Sequence, residues 1–234
     1  MPPVPVLRGR AKKTICVKRS NLALIERQSR YLGNMDSQKI SAPRIVLASA
    51  SPRRKTLLEW AETPFVVIPS HVDESFPDSL KPEEAAVHIA RRKANAVREG
   101  DEYLRHHKGL PIVAADTMVV LDDEVIGKPA NRADAVGILS KLAGRVHHVV
   151  TGVVIMDERR ETRFHDVTKV EFHDLSSVEI SHYVDRYKPY DKAGAYAIQE
   201  WIGVVGIRRI EGDFYNVMGL PVSRVLSALS MEFS

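Results

Sequence analysis

One cysteine, Cys16, stands in 234 residues. An internal disulfide is thereby excluded, and so is a metal site built from several thiolates. A lone cysteine suits the reducing cytoplasm, where we expect the protein. Apolar runs are short. None nears the roughly 20 residues that cross a bilayer, so we expect a soluble chain with no membrane partner. A Gly-rich Walker pattern is missing, which excludes a P-loop, and so is a Gly-x-Ser-x-Gly elbow. The histidines offer no metal pair. His147 and His148 are adjacent and take opposite faces of a strand, so we read both as structural.

Acid is scarce at one end of the chain. Residues 1–34 hold eight Lys and Arg against one acid, Glu26, a charge of +7. The whole chain carries +4, so the other 200 residues carry −3. Basicity is a property of this tail and not of the body. The tail lacks interleaved aromatics, so we expect no nucleic-acid partner. We read residues 1–42 as a basic, disordered extension and residues 43–234 as one folded domain.

The periodicity of that domain predicts an α/β fold, a mixed sheet flanked by helices. "RIVLAS" (44–49) and "PFVVIPS" (64–70) read as strands. Between them Pro52 opens a helix with Ser51 as its N-cap. Pro82, Glu83 and Glu84 open another that runs to about Val97. Residues 110–126 predict a buried strand, a break near Asp116, and a hairpin turning at Asp122–Asp123. A helix over 131–143 precedes two long antiparallel strands joined at 157–161. Ser177 is expected to cap a helix to about Arg186. Two short strands are expected around Gly212–Asp213, before a last helix opened by Pro221.

Several stretches carry more polar chemistry than a fold requires. "LASASPRRKTLLEW" (47–60) puts Ser49, Ser51, Arg53, Arg54 and Lys55 where a strand stops and a helix begins. Helix N-termini bind anions, and guanidinium forks match phosphate. Cations there oppose the helix dipole by about 0.3–1 kcal/mol each, an odd choice without an anion to offset them. Asp116 follows the apolar run Ile112–Ala115, where a carboxylate is costly unless paired or bound to metal; an Asp that bonds its own backbone at a turn is the alternative. Lys93 shares a helix face with Ala86, Ala90 and Val97. It either snorkels or reaches into a cleft, and the helix alone favours snorkelling. Lys128 stands in a turn between Gly127 and Pro129. Asp73 and Glu74 are metal-ligand candidates or a solvated acidic loop. In "KPYDKAGAYAIQE" (188–200) Lys192 precedes small residues, and Tyr196 and Gln199 suit stacking on and hydrogen bonding to a base. Together these supply cations for phosphate, carboxylates for a divalent metal, and amides and hydroxyls for a base.

With those segments assembled, the chain resembles the Maf family of nucleotide pyrophosphatases from about Arg44 to Leu226. The matching pieces, in order, are "LASASPRRKTLLE", "VDE", "ARRKA", "ADT", "GKP", "AGRVHHVVTG", "DKAGAYAIQ" and "GDFYNVMGLP". The resemblance implies a fold like that of inosine triphosphate pyrophosphatases, with two lobes and a cleft, as a homodimer. Residues 43–234 then form one Maf-like catalytic domain. It implies hydrolysis of a nucleoside triphosphate to monophosphate and pyrophosphate with a divalent metal; we expect Mg²⁺ or Mn²⁺, with Glu74 as a ligand and Asp116 either a second ligand or the base. Asp116 carries over as proton acceptor, with Lys93 and Glu74 beside it as catalytic positions. Arg53, Thr117 and Gln199 carry over to substrate selection, and Ser49, Arg54, Lys128 and Lys192 to other substrate-binding positions. "SPRR" with "ADT" and "DKAGAYAIQ" is similar to the branch acting on dTTP and UTP. The alternatives are a 7-methyl-GTP pyrophosphatase and a non-catalytic nucleotide-binding regulator of cell division. One departure stands out: many relatives have glycine after the glutamine, and this chain has Glu200 then Trp201.

Overall fold

In the computed structural model the described residues are 44–233. The expected extension at 1–42, and Cys16 within it, lie outside them. Among the described residues no helix is long and apolar enough to cross a membrane. A seven-stranded mixed sheet forms the centre. Strands β1 (Ile45–Leu47), β2 (Phe65–Val67) and β3 (Ile112–Leu121) are parallel neighbours, with β1 in the middle. β3 continues antiparallel to β5 (Val146–Met156), then β6 (Glu161–Phe172), then β7 (Ile207–Glu211). β4 (Glu124–Ile126) folds back on β3. The hairpin between them turns at Asp122 and Asp123, both at positive φ, as a tight two-residue turn requires.

Side-chain alternation along β3 divides the interior in two. Val113, Ala115, Val119 and Leu121 join the larger core with Leu57, Leu58, Leu139, Tyr183 and Leu229. Ile112 and Ala114 face the other way, into a core with Ala90 and Ala94; Met118 and Val120 pack with Ala86 and Ile89. Helices α1 (Pro52–Trp60), α4 (Arg132–Leu142), α5 (Ser177–Tyr187) and α8 (Val222–Glu232) contribute to the first side, and α2 (Pro82–Arg98) to the second. α2 buries Ala85, Ala86, Ala90 and Ala94, a face of small residues. It lies so close to the sheet that a Cβ on Gly152 would stand 2.3 Å from the backbone of Ala86. Glycine at 152 therefore permits the approach.

The expected break near Asp116 is absent from β3. Asp116 pairs with Gly152 and Thr117 with Thr151 in an unbroken ladder. The interruption lies beside the strand instead. β1 accompanies β3 only as far as Val113, and β4 only from Val119. Between those points one edge of β3 has no strand next to it among the described residues. Ser51 sits at the predicted N-cap, but its side chain makes no capping bond. Its N–H donates to Ser49 Oγ at 3.2 Å. The cap of α5 is Ser176 and not Ser177: Ser176 Oγ accepts from Glu179 N, and Glu179 Oε2 accepts from Ser176 N. Around Gly212–Asp213 only one strand forms. Asp213 Oδ1 accepts from Tyr215 N at 2.7 Å and starts the short helix α7 (Phe214–Met218). Two further short helices, α3 (Asp101–His106) and α6 (Trp201–Gly206), fall where no helix was expected.

Candidate active site

A cavity of about 310 Å³ opens at the uncovered edge of β3. Asp116 and Thr117 explain why the edge matters. By alternation Asp116 belongs to the α2 face and Thr117 to the face of α1, yet both line this one cavity. Only where no neighbouring strand closes the sheet can one space touch both faces. Ser49, Arg53, Arg54, Glu74, Lys93, Lys128, Lys192 and Gln199 line it as well. The ten residues that the resemblance carries over to catalysis and binding therefore all line this space. Asp73 does not; its carboxylate turns to Ser75 in the exposed loop.

Lys93 organises one group of contacts. The small-residue face of α2 brings it against β3, and its ammonium ends between two carboxylates. Nζ donates to Asp116 Oδ1 at 2.6 Å and to Glu74 Oε1 at 2.7 Å. Its side chain is 10% exposed, which rules out the snorkelling that the helix alone favoured. Lys128 Nζ donates to the other oxygen of Glu74 at 3.0 Å. Burial by itself would raise the Glu74 carboxyl, but hydrogen bonds from Lys93 and Lys128 outweigh it and hold the pKa at about 2. Glu74 is therefore a firm anion at any physiological pH.

Arg54 is built into the wall. Nε donates to Gly219 O at 2.8 Å, Nη1 to Ser49 Oγ at 3.0 Å, and Nη2 to Thr117 Oγ1 at 3.0 Å. Thr117 Oγ1 also lies 3.0 Å from Thr151 Oγ1. Burial pushes the guanidinium down from its ordinary value, with Asp116 opposing. Arg53 is freer, its nearest counter-ion being Asp191 at 3.6 Å. The two arginines at the start of α1 thus differ: Arg54 spends its fork on protein, and Arg53 keeps much of its own for a ligand.

Lys192 organises the second group. Nζ donates to Asp191 Oδ1 at 2.7 Å and stands 3.7 Å from Glu200. Its loop is seated on β3 through Gly194, at φ +70°, where a Cβ would meet Val119 at 2.8 Å. Gly194 N–H also donates to Gly127 O at 3.1 Å, joining this loop to the Lys128 turn. Tyr196 is buried. Its hydroxyl meets His147 Nε2 at 2.8 Å and its ring packs edge-on against Phe172 and His147. Gln199, three residues further on, is exposed. His147 is fully buried, and burial, then His148, lower it to about 3, so it stays neutral in the core as its structural reading requires.

Sequence reasoning did not single out Asp191, Glu200's partner Tyr183, or the Gly219 carbonyl. Asp191 was visible as the neighbour of Lys192. The other two depend on contacts across 17 and 165 residues, for which the sequence offers no signal.

The arrangement suits a polyanion. Five cations (Arg53, Arg54, Lys93, Lys128 and Lys192) line one small space against three carboxylates. Among the described residues no group of three or more His, Cys, Asp or Glu is placed to hold a metal. Glu74 and Asp116 nonetheless converge on one ammonium, and two hard oxygen donors suffice for an ion that takes its other ligands from phosphate and water. They fit a divalent cation such as Mg²⁺ or Mn²⁺.

The family model for Maf-like proteins matches residues 44–232. A protein of Cytophaga hutchinsonii named dTTP/UTP pyrophosphatase is 44% identical over 190 residues, 81% of this chain and 84% of its own length. A protein of the same name from Parabacteroides distasonis is 47% identical over 189 residues, 80% of this chain and 94% of its own. The solved structure of the Staphylococcus aureus Ham1 protein aligns over 81% of this chain and 99% of its own, at 18% identity and a TM-score of 0.42.

Proposed function

The chain belongs to the Maf-like protein family, and we propose that it hydrolyses dTTP and UTP to the monophosphate and pyrophosphate. One observation carries this reading: residues from positions 49 to 199 meet in a single cavity that has more cations than carboxylates, with the exposed amide of Gln199 at its wall.

Phosphoryl chemistry of this kind needs positioning and charge neutralisation more than covalent help. Arg53, Lys128 and Lys192 bind the triphosphate. Lys93 neutralises charge close to Asp116, and Arg54 holds Ser49 and Thr117 where the phosphates and the sugar must pass. Asp116 accepts the proton of the water that attacks the α-phosphorus. Its position is fixed by the β3 ladder and by Lys93, and pyrophosphate leaves on the opposite side. Glu74 and Asp116 are the residues that would hold a divalent metal, which would supply counter-charge to the phosphates. Gln199 presents one donor and one acceptor to the pyrimidine edge, with Thr117 and Arg53 bounding the space for the base. The same proposal includes a cytoplasmic homodimer without a nucleic-acid partner.

The test is pyrophosphate release from a panel of dTTP, UTP, CTP, GTP, ITP and 7-methyl-GTP with Mg²⁺ or Mn²⁺. We expect dTTP and UTP to turn over fastest. Faster hydrolysis of a purine triphosphate would overturn the substrate assignment, and no pyrophosphate from any of them would overturn the enzyme. Sedimentation of the purified protein tests the dimer.

A further inference from the structure

Gln199 is exposed, in a short stretch between a 3₁₀ turn at Ala193–Ala195 and α6. An exposed glutamine on a loop has many rotamers, and a side chain that must read a base edge has to be held. The residues on either side are held by a single phenol. Tyr183, on α5, is fully buried. Its hydroxyl oxygen accepts from Ala197 N at 3.2 Å, and its hydroxyl proton is donated to Glu200 Oε2. Burial, then the bond to Glu200, raise the Tyr183 pKa, so it keeps the proton it donates. Ala197 and Glu200 bracket Gln199, so one phenol holds the backbone N–H of Ala197 on one side and the side-chain carboxylate of Glu200 on the other. The other carboxylate oxygen of Glu200 lies 3.7 Å from Lys192 Nζ. Neither Tyr183 nor Glu200 lines the cavity.

We propose that Tyr183 and Glu200 are positioning residues for substrate selection: the Tyr183–Glu200 hydrogen bond sets the orientation of Gln199, and the Glu200 charge steadies Lys192. The proposal rests on the pyrimidine triphosphate reading above. It also gives the acidic residue after the glutamine a task. Glycine there has no carboxylate to receive the phenol, so such a chain must hold its glutamine by other means.

The experiment compares kcat/KM for dTTP and GTP in wild type, Tyr183→Phe, Gln199→Ala and the double variant. The ring of Tyr183 stacks on Tyr187, a contact that Phe retains. We expect Tyr183→Phe to narrow the dTTP-over-GTP preference by about three- to tenfold, the worth of one hydrogen bond, mainly through KM. In the Gln199→Ala background it should narrow nothing further. Glu200→Gln keeps an acceptor for the phenol, so the preference should survive, while KM shifts by the same factor for both nucleotides as Lys192 is left with Asp191 alone. If Tyr183→Phe melts below the assay temperature, Glu200→Ala removes the same bond from its other end. A uniform loss on both nucleotides with an unchanged preference would overturn the proposal, as would equal narrowing with and without Gln199. Those results leave the enzyme assignment standing. A wild type that turns over no triphosphate overturns that assignment instead.

Discussion

Lys93 and Lys192 occupy the same cavity and are equally buried, with side chains 10% and 11% exposed. Their supports differ. Lys93 stands on a 17-residue helix and meets Asp116, itself 11% exposed, on a central strand. Lys192 stands on a loop, and its near partner is the adjacent Asp191, 62% exposed. Its more sheltered partner, Glu200, is 3.7 Å away. The first lysine is locked between rigid elements at the place where bonds must break within fractions of an ångström. The second is balanced by a carboxylate that water can solvate alone, so its charge depends less on the surrounding protein. The cavity thus pairs a chemical end neutralised by the interior with a recognition end neutralised at the surface.

The sharpest way to break the comparison is at the chemical end. Asp116→Asn should lower pyrophosphate release by about 10²–10⁴ while leaving the thermal midpoint nearly unchanged, because Lys93 keeps Glu74 as a partner. Turnover near the wild-type rate would remove Asp116 from the chemistry. Stability should then separate the lysines. Lys93→Met strands Asp116 beside the core and should cost about 3 kcal/mol or more in denaturant titration. Lys192→Met leaves its near partner in water and should cost about 1 kcal/mol or less. Equal losses would show that the two supports are equivalent. Gly152→Ala forces α2 away from β5. It should destabilise by about 1–3 kcal/mol, and it should depress turnover through Lys93 without touching any group of the recognition end. The smallest effect concerns pH. Glu74 holds a pKa near 2 in the folded protein, against an ordinary 4.5. Unfolded chains therefore take up its proton first as the pH falls. Its stabilisation is complete above about pH 4.5 and is lost as the pH drops toward 2. At 44% exposure solvent screens most of the gain. The wild-type midpoint should fall slightly more than that of Glu74→Gln between about pH 5 and about pH 3; parallel curves would dissociate Glu74 from its lysines.

The sequence displayed the helix faces, the long strands and the Asp122–Asp123 hairpin, because each is a local pattern. It displayed the site residues as excess polarity: charge at helix starts, a carboxylate in an apolar run, a lysine on an alanine stripe. What it concealed is pairwise. Asp116 interrupts hydrophobicity and so imitates a strand end, but the ladder needs only its backbone, and Lys93 satisfies its side chain from another element. Arg54 and Arg53 are indistinguishable neighbours in the chain, and only contacts to Ser49, Thr117 and Gly219 decide which becomes wall and which stays open to a ligand. Asp213 resembles a turn between strands until its carboxylate is seen to start a helix.

Arg54 ties Ser49, Thr117 and Gly219 together, the last of these 165 residues further along. During synthesis the Arg54 guanidinium must therefore wait for a further 165 residues before it finds that carbonyl. A ribosome-bound fragment ending before Gly219 would hold most of the phosphate-gripping residues yet enclose no finished chamber.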